Sequence, residues 1–147
     1  MDDKHLEKFI EEVQRHEGFR EEVYLDSLGN PTCGWGHHLA VGSRVDRKIC
    51  EIFLEHDIAN AVNDFYRIDK DLRDKLNPVR RRVICNMIFN LGLNGVLKFK
   101  KMWKAIKKED WDEAKTQMLN SLWTQQVGHR AFELANLMKE GKEEDES

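Results

Sequence analysis

The sequence predicts an α+β fold: a small lobe with a short antiparallel sheet, a long linking helix and a larger all-helical lobe, with a cleft between the lobes. Three observations predict it. An amphipathic helical repeat opens the chain, a turn-rich hairpin pattern follows near residues 23–37, and helical periodicity runs from residue 43 to residue 138. The 147 residues are 40% hydrophobic and 35% charged, which excludes collagen, low-complexity and wholly disordered chains.

The first helix is predicted to begin after Asp3 as its N-cap and to end at Gly18. Its apolar face follows the i, i+3, i+4, i+7 spacing of an amphipathic helix and consists of Leu6, Phe9, Ile10 and Val13. Glu17 lies four residues beyond Val13. We therefore expect Glu17 to continue the buried face, where burial and the negative end of the helix dipole both disfavour an ionised carboxylate.

Two short segments, residues 23–26 and 31–37, flank Ser27-Leu28-Gly29-Asn30 and predict an antiparallel hairpin, to which residues 38–41 can add a third strand. Gly34 and Gly36 surround Trp35, and glycines in a strand mark a place where another group approaches the backbone closely. Trp35 is left equally open to a core role and to a sugar-binding role. The neighbouring pair His37-His38 is not expected to bind metal, because adjacent strand residues point to opposite faces.

The rest of the chain is predicted to be helical. Ser43, with Asp46 three residues later as a weak capping box, predicts the start of a linking helix that reaches Phe65. A core helix is predicted from the cap Asn77-Pro78 to Gly92. Further helices are expected around residues 96–106, 111–122 and 129–138, followed by a disordered acidic tail over residues 139–147.

Charge and composition limit the function classes. Residues 1–66 carry 7 basic and 14 acidic side chains, whereas residues 67–138 carry 15 and 8. The basic half favours a polyanionic partner, either nucleic acid or an anionic cell envelope, and charge alone does not choose between them. We expect three reduced thiols, no cofactor, no metal, no transmembrane helix and no secretory signal.

Two carboxylates in unlike environments, Glu17 at an apolar helix end and Asp26 at a polar turn, satisfy the requirement for acid/base cleavage of a glycosidic bond. A protonated Glu17 would donate a proton, and an ionised Asp26 would activate water. Thr32 places a hydroxyl across the hairpin from Asp26. Taken alone, each residue has an ordinary structural alternative. Glu17 would be a solvent-facing glutamate, Asp26 a turn aspartate and Thr32 a strand threonine.

A known signature consists of a Glu, an Asp nine residues later and a Thr six residues after that. The sequence keeps this spacing in Glu17, Asp26 and Thr32, and the run Gly34-Trp35-Gly36-His37 follows. In these residues the sequence resembles the phage-type lysozymes, or endolysins, of T-even bacteriophages, glycoside hydrolase family 24. The resemblance runs from about Leu6 to Met138 and includes Asn86–Gly92, Trp111–Ala114, Ser121–Trp123 and Arg130-Ala131.

The resemblance implies a single lysozyme-like domain over residues 1–138, with a small lobe at about 17–60 and a helical lobe at about 1–16 and 61–138. It implies a muramidase in which Glu17 is the general acid, Asp26 the base or stabiliser and Thr32 the residue that binds the attacking water, with an inverting outcome. It also implies that Arg130 pairs with the catalytic Glu. Substrate contacts are expected from three residues, Phe89, His38 and Gln117, of which His38 and Gln117 depart from the leucine and asparagine of the family.

The partner implied by the resemblance is bacterial peptidoglycan, reached from the host cytoplasm through a holin-type pore, with the enzyme a monomer and no nucleic acid or membrane anchor involved. Two other classes stay open. One is a non-catalytic peptidoglycan- or partner-binding module that keeps the lysozyme fold. The other, a nucleic-acid-binding protein, rests on the basic half alone.

Overall fold

An N-terminal helix, a three-stranded antiparallel sheet and seven further helices follow one another in the computed structural model, which describes residues 2–144. The elements within that range are α1 (Asp3–Glu17), β1 (Arg20–Leu25), β2 (Pro31–Gly34), β3 (His37–His38), α2 (Arg47–Phe65), α3 (Lys70–Asp74), α4 (Pro78–Leu97), α5 (Lys100–Lys107), α6 (Trp111–Leu119), α7 (Leu122–Val127) and α8 (His129–Glu140). The predicted α+β class is confirmed. The chain divides into two compact units, the first up to Arg47 and the second from Lys48, and each is described by itself.

The first helix is capped one residue earlier than predicted. The Asp2 side chain accepts a hydrogen bond from the His5 amide at 2.9 Å, so Asp2 is the N-cap and Asp3 is the first helical residue. Gly18 ends the helix as predicted, at φ +67°, and its amide donates to the Gln14 carbonyl at 3.0 Å. The apolar side chains of α1, Leu6, Phe9 and Ile10, are about half exposed.

Strand β2 is the centre of the sheet and pairs antiparallel with β1 and β3. Thr32 lies opposite Tyr24 on β1 and opposite His38 on β3. Side chains of directly paired residues share one face of a sheet, so these three form a row across it. The predicted third strand over residues 38–41 exists but spans only His37–His38, and Val41 beyond it is fully exposed.

The linking helix begins at Arg47, so the predicted start at Ser43 is wrong. The Ser43 hydroxyl donates to the Ala40 carbonyl at 2.6 Å, and the Ser43 amide bonds the same carbonyl at 3.1 Å. The side chain is thereby used in a turn instead of a helix cap, which is the competition that short polar residues offer to helix initiation.

Helix α4 begins where the sequence predicts. Asn77 accepts a hydrogen bond from the Arg80 amide at 2.9 Å, and Pro78 follows at the first helical position. Gly92, at φ +76° and ψ +161°, interrupts the helix, so the predicted end becomes a kink with a further turn beyond it.

The hydrophobic core of the described chain lies in the second unit. Its fully buried members come from α4, α5, α6 and α8, and the largest are Val83, Ile84, Met87, Val96, Met102, Ile106, Met118 and Met138. Trp103 and Trp123 are also buried. The Trp103 indole donates to the Val96 carbonyl at 3.0 Å, which satisfies its polar atom inside the core.

The C-terminal segment is held against α4 as far as it is described. Helix α8 includes Lys139 and Glu140, beyond the expected end at residue 138, and Lys139 pairs with Asp112 at 3.2 Å. Asn77 donates to the Gly141 carbonyl at 2.8 Å. The last part of the expected acidic tail, residues 145–147, lies outside the described residues. The lobe boundaries expected at residues 16 and 60 stay predictions. In residues 2–144 no helix is both long enough and apolar enough to cross a membrane.

Candidate active site

Glu17 is the last residue of α1, and its carboxylate lies over the backbone of Gly36. A Cβ placed on Gly36 would be 2.8 Å from Glu17 Oε2. The close approach indicated by the Gly-Trp-Gly pattern is therefore made by Glu17 itself. The expectation that Glu17 is buried is wrong for this structure, because its side chain is exposed. A helical period fixes the direction in which a side chain points, but it does not say whether another group covers it.

Asp26 organises the turn that joins β1 to β2. Its Oδ1 accepts hydrogen bonds from the amides of Leu28 at 2.9 Å and Asn30 at 2.8 Å, and its own amide donates to the Asn30 carbonyl at 3.0 Å. The backbone bond from Asn30 is the largest cause that holds the pKa of Asp26 below its ordinary value of 3.8, and burial opposes it. The aspartate is thus ionised at neutral pH, as the sequence predicts.

The hydroxyl of Thr32 donates to the Asn30 carbonyl at 2.8 Å, which is the carbonyl that also accepts from the Asp26 amide. Thr32 is only 1% exposed, and among the described residues of the first unit it is the one that is buried. Thr32 and Asp26 therefore meet at the same turn. The donated proton is committed to Asn30, so a water at Thr32 would have to donate to the hydroxyl oxygen.

His38 has a different contact from the one expected of a substrate-binding residue. Its Nε2 lies 3.3 Å from Asp26 Oδ2, and Asn30 Nδ2 approaches the same oxygen at 3.4 Å. The attraction of a protonated His38 also lowers the pKa of Asp26, as the smallest of its causes. Sequence reasoning missed this pair because it depends on the register of β2 with β3, which places His38 opposite Thr32.

Trp35 packs against Phe19 with ring centroids 4.7 Å apart and planes inclined by 41°. Both rings are about half exposed. Arg20 lies over the Tyr24 ring at 4.4 Å. Two half-exposed rings, Phe19 and Trp35, thus lie in the first unit that carries Glu17 and Asp26, and the two roles left open for Trp35 stay open.

In the second unit, Arg130 is held by Asn86. The Nε of Arg130 donates to Asn86 Oδ1 at 3.0 Å, and one terminal nitrogen reaches both that oxygen and the Asn86 carbonyl. These contacts fix a half-buried guanidinium between α4 and α8. Asn86 had no assigned role, because its sequence position does not reveal that its side chain faces Arg130. The expected pairing of Arg130 with Glu17 stays a prediction.

Phe89 and Arg130 line one apolar groove of about 560 Å³ between α2, α4 and α8. Its other walls are mainly aliphatic and include Leu54, Ile58 and Val62. Gln117 lies elsewhere, in a separate cavity with lysines of α5, and its amide donates to Glu113 at 2.6 Å. Phe89 and Gln117, expected to serve one substrate, therefore line different cavities of the second unit.

Acid/base chemistry is what the described groups of the first unit can perform. Glu17 is an exposed carboxyl group over a glycine, and Asp26 is a carboxylate fixed by amides. Within residues 2–144 no group of three or more His, Cys, Asp or Glu side chains is placed to hold a metal ion.

Comparison with known proteins adds the family context. The phage lysozyme family profile matches residues 14–144. The chain is 29% identical to the pre-baseplate central spike protein Gp5 of Enterobacteria phage T4. The alignment, 166 residues long with its gaps, covers 95% of this chain and 29% of Gp5. It is 26% identical to probable T4-type lysozyme 1 of Dictyostelium discoideum. That alignment, 152 residues long with its gaps, covers 85% of this chain and 89% of that protein. An endolysin of Acyrthosiphon pisum secondary endosymbiont phage 1 is 29% identical over 89 residues, 59% of each chain.

Proposed function

This chain belongs to the phage lysozyme family, and we propose that it is a muramidase that hydrolyses the β-1,4 bond between N-acetylmuramic acid and N-acetylglucosamine in bacterial peptidoglycan. Hydrolysis of this bond would cut the glycan strands of the wall and lyse the host cell. The observation that carries the proposal is the pair of unlike carboxyl environments in the first unit, Glu17 exposed over Gly36 and Asp26 tied into its turn by two amides.

In the proposed reaction Glu17 donates its proton to the oxygen of the leaving sugar while a water attacks the anomeric carbon from the opposite face. Asp26 accepts the proton of that water, and Thr32 accepts a hydrogen bond from it. This single displacement inverts the anomeric configuration. The low pKa of Asp26 supports its role, because a base must be ionised when the substrate arrives.

The remaining parts of the proposal concern substrate and context. Arg130, already positioned by Asn86, would pair with Glu17, and Phe89 would contact sugar. Gln117 and His38 would contact substrate at other points. We propose that the enzyme acts as a monomer without cofactor, accumulates in the host cytoplasm and reaches the wall through a holin-type pore.

The test compares wild type with Glu17→Gln on purified peptidoglycan, with Glu12→Gln as the matched control because Glu12 is an exposed glutamate of the same helix. We expect wild type and Glu12→Gln to clear the suspension and to release N-acetylmuramic acid reducing ends. Removal of a general acid costs about 10²–10⁴-fold. Glu17→Gln should therefore be inactive on the timescale of the assay while it unfolds at the same temperature as the control.

The second candidate is a non-catalytic peptidoglycan-binding module with a lysozyme fold, favoured by the exposure of Glu17. In that case no variant clears the wall and all of them sediment with it. That outcome would require the catalytic roles of Glu17, Asp26 and Thr32 to be withdrawn.

A further inference from the structure

Helix α5 and its flanks carry a concentration of lysines unmatched elsewhere in the sequence. Residues 98–108 contain six lysines and no acidic residue. All six are exposed, and the cations are exclusively lysines, with no arginine among them. They are Lys98, Lys100, Lys101, Lys104, Lys107 and Lys108, and we call this surface the basic face.

The basic face is separated cleanly from the core. The other side of α5 consists of side chains that are at most 7% exposed, namely Met102, Trp103, Ala105 and Ile106. At 3.6 residues a turn, the five lysines from Lys100 to Lys108 fall within an arc of about 120° and along about 12 Å of helix axis. Five positive charges therefore project from one side of a rigid, fully packed helix.

Among residues 2–144, the charges of the basic face are not neutralised by ion pairs. Across residues 2–144, no carboxylate comes within ion-pair distance of these six ammonium groups. The nearest acidic residues in sequence have other partners: Glu109 faces Lys75, Asp110 caps α6 and Asp112 pairs with Lys139. The field of the face is thus directed at solvent.

Concave and apolar features border the same face. Lys98, Lys100 and Lys101 line a cavity of about 440 Å³ together with Ser121. Leu97 precedes Lys98 and is 41% exposed, and Leu122 follows Ser121 and is 67% exposed. A rigid cluster of lysines with exposed leucines at its edge is the combination that favours the interface of an anionic lipid bilayer.

We propose that the basic face docks this protein, electrostatically and reversibly, on an anionic phospholipid bilayer. Each lysine held near such a surface contributes attraction, and none needs a specific ligand geometry. Single-stranded nucleic acid fits less well. Single strands require exposed aromatic rings on which bases stack, whereas Trp103 is buried with its indole bonded to Val96, and Phe99 packs edge-on against Trp123.

Docking would hold the protein at a membrane surface, and this inference goes beyond the proposed function without depending on it. No step of hydrolysis involves the basic face. A full-length Glu17→Gln protein should therefore bind bilayers as the wild type does, which keeps a failure of this proposal distinguishable from a failure of the hydrolytic one.

The test measures co-sedimentation of the full chain with vesicles of phosphatidylcholine and phosphatidylglycerol in equal amounts, and with vesicles of phosphatidylcholine alone. The test variant replaces Lys100, Lys104 and Lys107 by Gln. The charge-matched control replaces Lys4, Lys8 and Lys142 by Gln, because these lysines are exposed and are not members of the basic face. A third variant replaces the first three lysines by Arg and keeps the charge.

We expect binding to mixed vesicles only, with a loss of about a hundredfold in the test variant, and binding weakened for every variant as ionic strength rises. The control and the Arg variant should stay within a fewfold of wild type. An equal loss in the control would overturn the proposal, since net charge alone would then account for binding. Equal binding to mixed vesicles and to vesicles of phosphatidylcholine alone would also overturn the proposal. Retention on DNA or on isolated peptidoglycan, with no retention on mixed vesicles, would overturn it too.

Discussion

Gly36 leaves the space that the Glu17 carboxylate, the proposed acid, occupies. An alanine at this position should therefore impair hydrolysis by moving Glu17. A Cβ on Gly36 would be 2.8 Å from Glu17 Oε2 and 3.0 Å from its carboxyl carbon. Ordinary van der Waals contact begins near 3.4 Å, so the oxygen must retreat by roughly 0.6 Å or the side chain must rotate away.

Gly34 supplies a matched control two residues away. Gly34 and Gly36 have φ of +62° and +76°, so an alanine at either position adopts a left-handed backbone that costs roughly 1–2 kcal/mol. A Cβ on Gly34 meets nothing within 4 Å. The two substitutions therefore impose similar backbone strain, and they differ in whether the new methyl group reaches Glu17.

We expect Gly34→Ala to keep hydrolysis within about twofold of wild type once the folded fraction is matched. Displacement of a catalytic group by about 1 Å can cost about 10²-fold. Gly36→Ala should therefore lose about 10–100-fold in kcat. Urea unfolding should report a similar fall in the free energy of unfolding for both variants.

The assay is the release of reducing ends from purified peptidoglycan at a temperature where both variants are folded. Equal activity in the two variants would refute the reasoning, because the position of Glu17 would then not limit catalysis. A large loss in Gly34→Ala would refute it too, since backbone strain alone would explain the effect.

Two further predictions concern Asp26 and the helical unit. His38→Leu removes the imidazole whose Nε2 lies 3.3 Å from Asp26 Oδ2 but leaves the amides on Oδ1, so the pKa of Asp26 should rise. The acid limb of the pH–rate profile should move towards higher pH, and an unchanged limb would contradict the contact. Asn77→Ala removes the cap on the Arg80 amide and the bond to the Gly141 carbonyl, and should lower the free energy of unfolding by about 1–2 kcal/mol in urea denaturation, with the m-value unchanged.

Features decided by neighbouring residues could be predicted from the sequence. Asn77-Pro78 begins a helix because a side-chain acceptor and a residue without an amide proton both suit its first turn. The hairpin likewise follows from its turn formers at residues 27–30, although its strands span Arg20–Leu25 and Pro31–Gly34 instead of the predicted 23–26 and 31–37. Ser43 shows the limit of such reasoning, because its hydroxyl could accept a hydrogen bond from a helix amide as an N-cap or donate to a nearby carbonyl. In the structure it donates to the Ala40 carbonyl and forms a turn.

Features decided by register or packing could not be predicted. The contact of His38 with Asp26 depends on which residue of β3 lies opposite Thr32. Asn86 holds Arg130 across 44 positions of sequence, and no local pattern marks either residue as the partner of the other. The exposure of Glu17 likewise depends on what covers the end of α1, which a helical period does not contain.

The hydrogen bonds of Asp26 serve both its structural role in the turn and its proposed role as a base. The amides of Leu28 and Asn30 that fix the turn bond Oδ1, and the same bonds lower the pKa and keep the carboxylate ionised, as a base must be. Because the folded-state pKa is lowered, the stabilisation is fully present above the ordinary value of 3.8 and is lost as pH falls through the folded-state pKa. Protonation would weaken the turn and abolish the base together. The acid limit of hydrolysis and the acid loosening of the Asp26 turn should therefore share one titration.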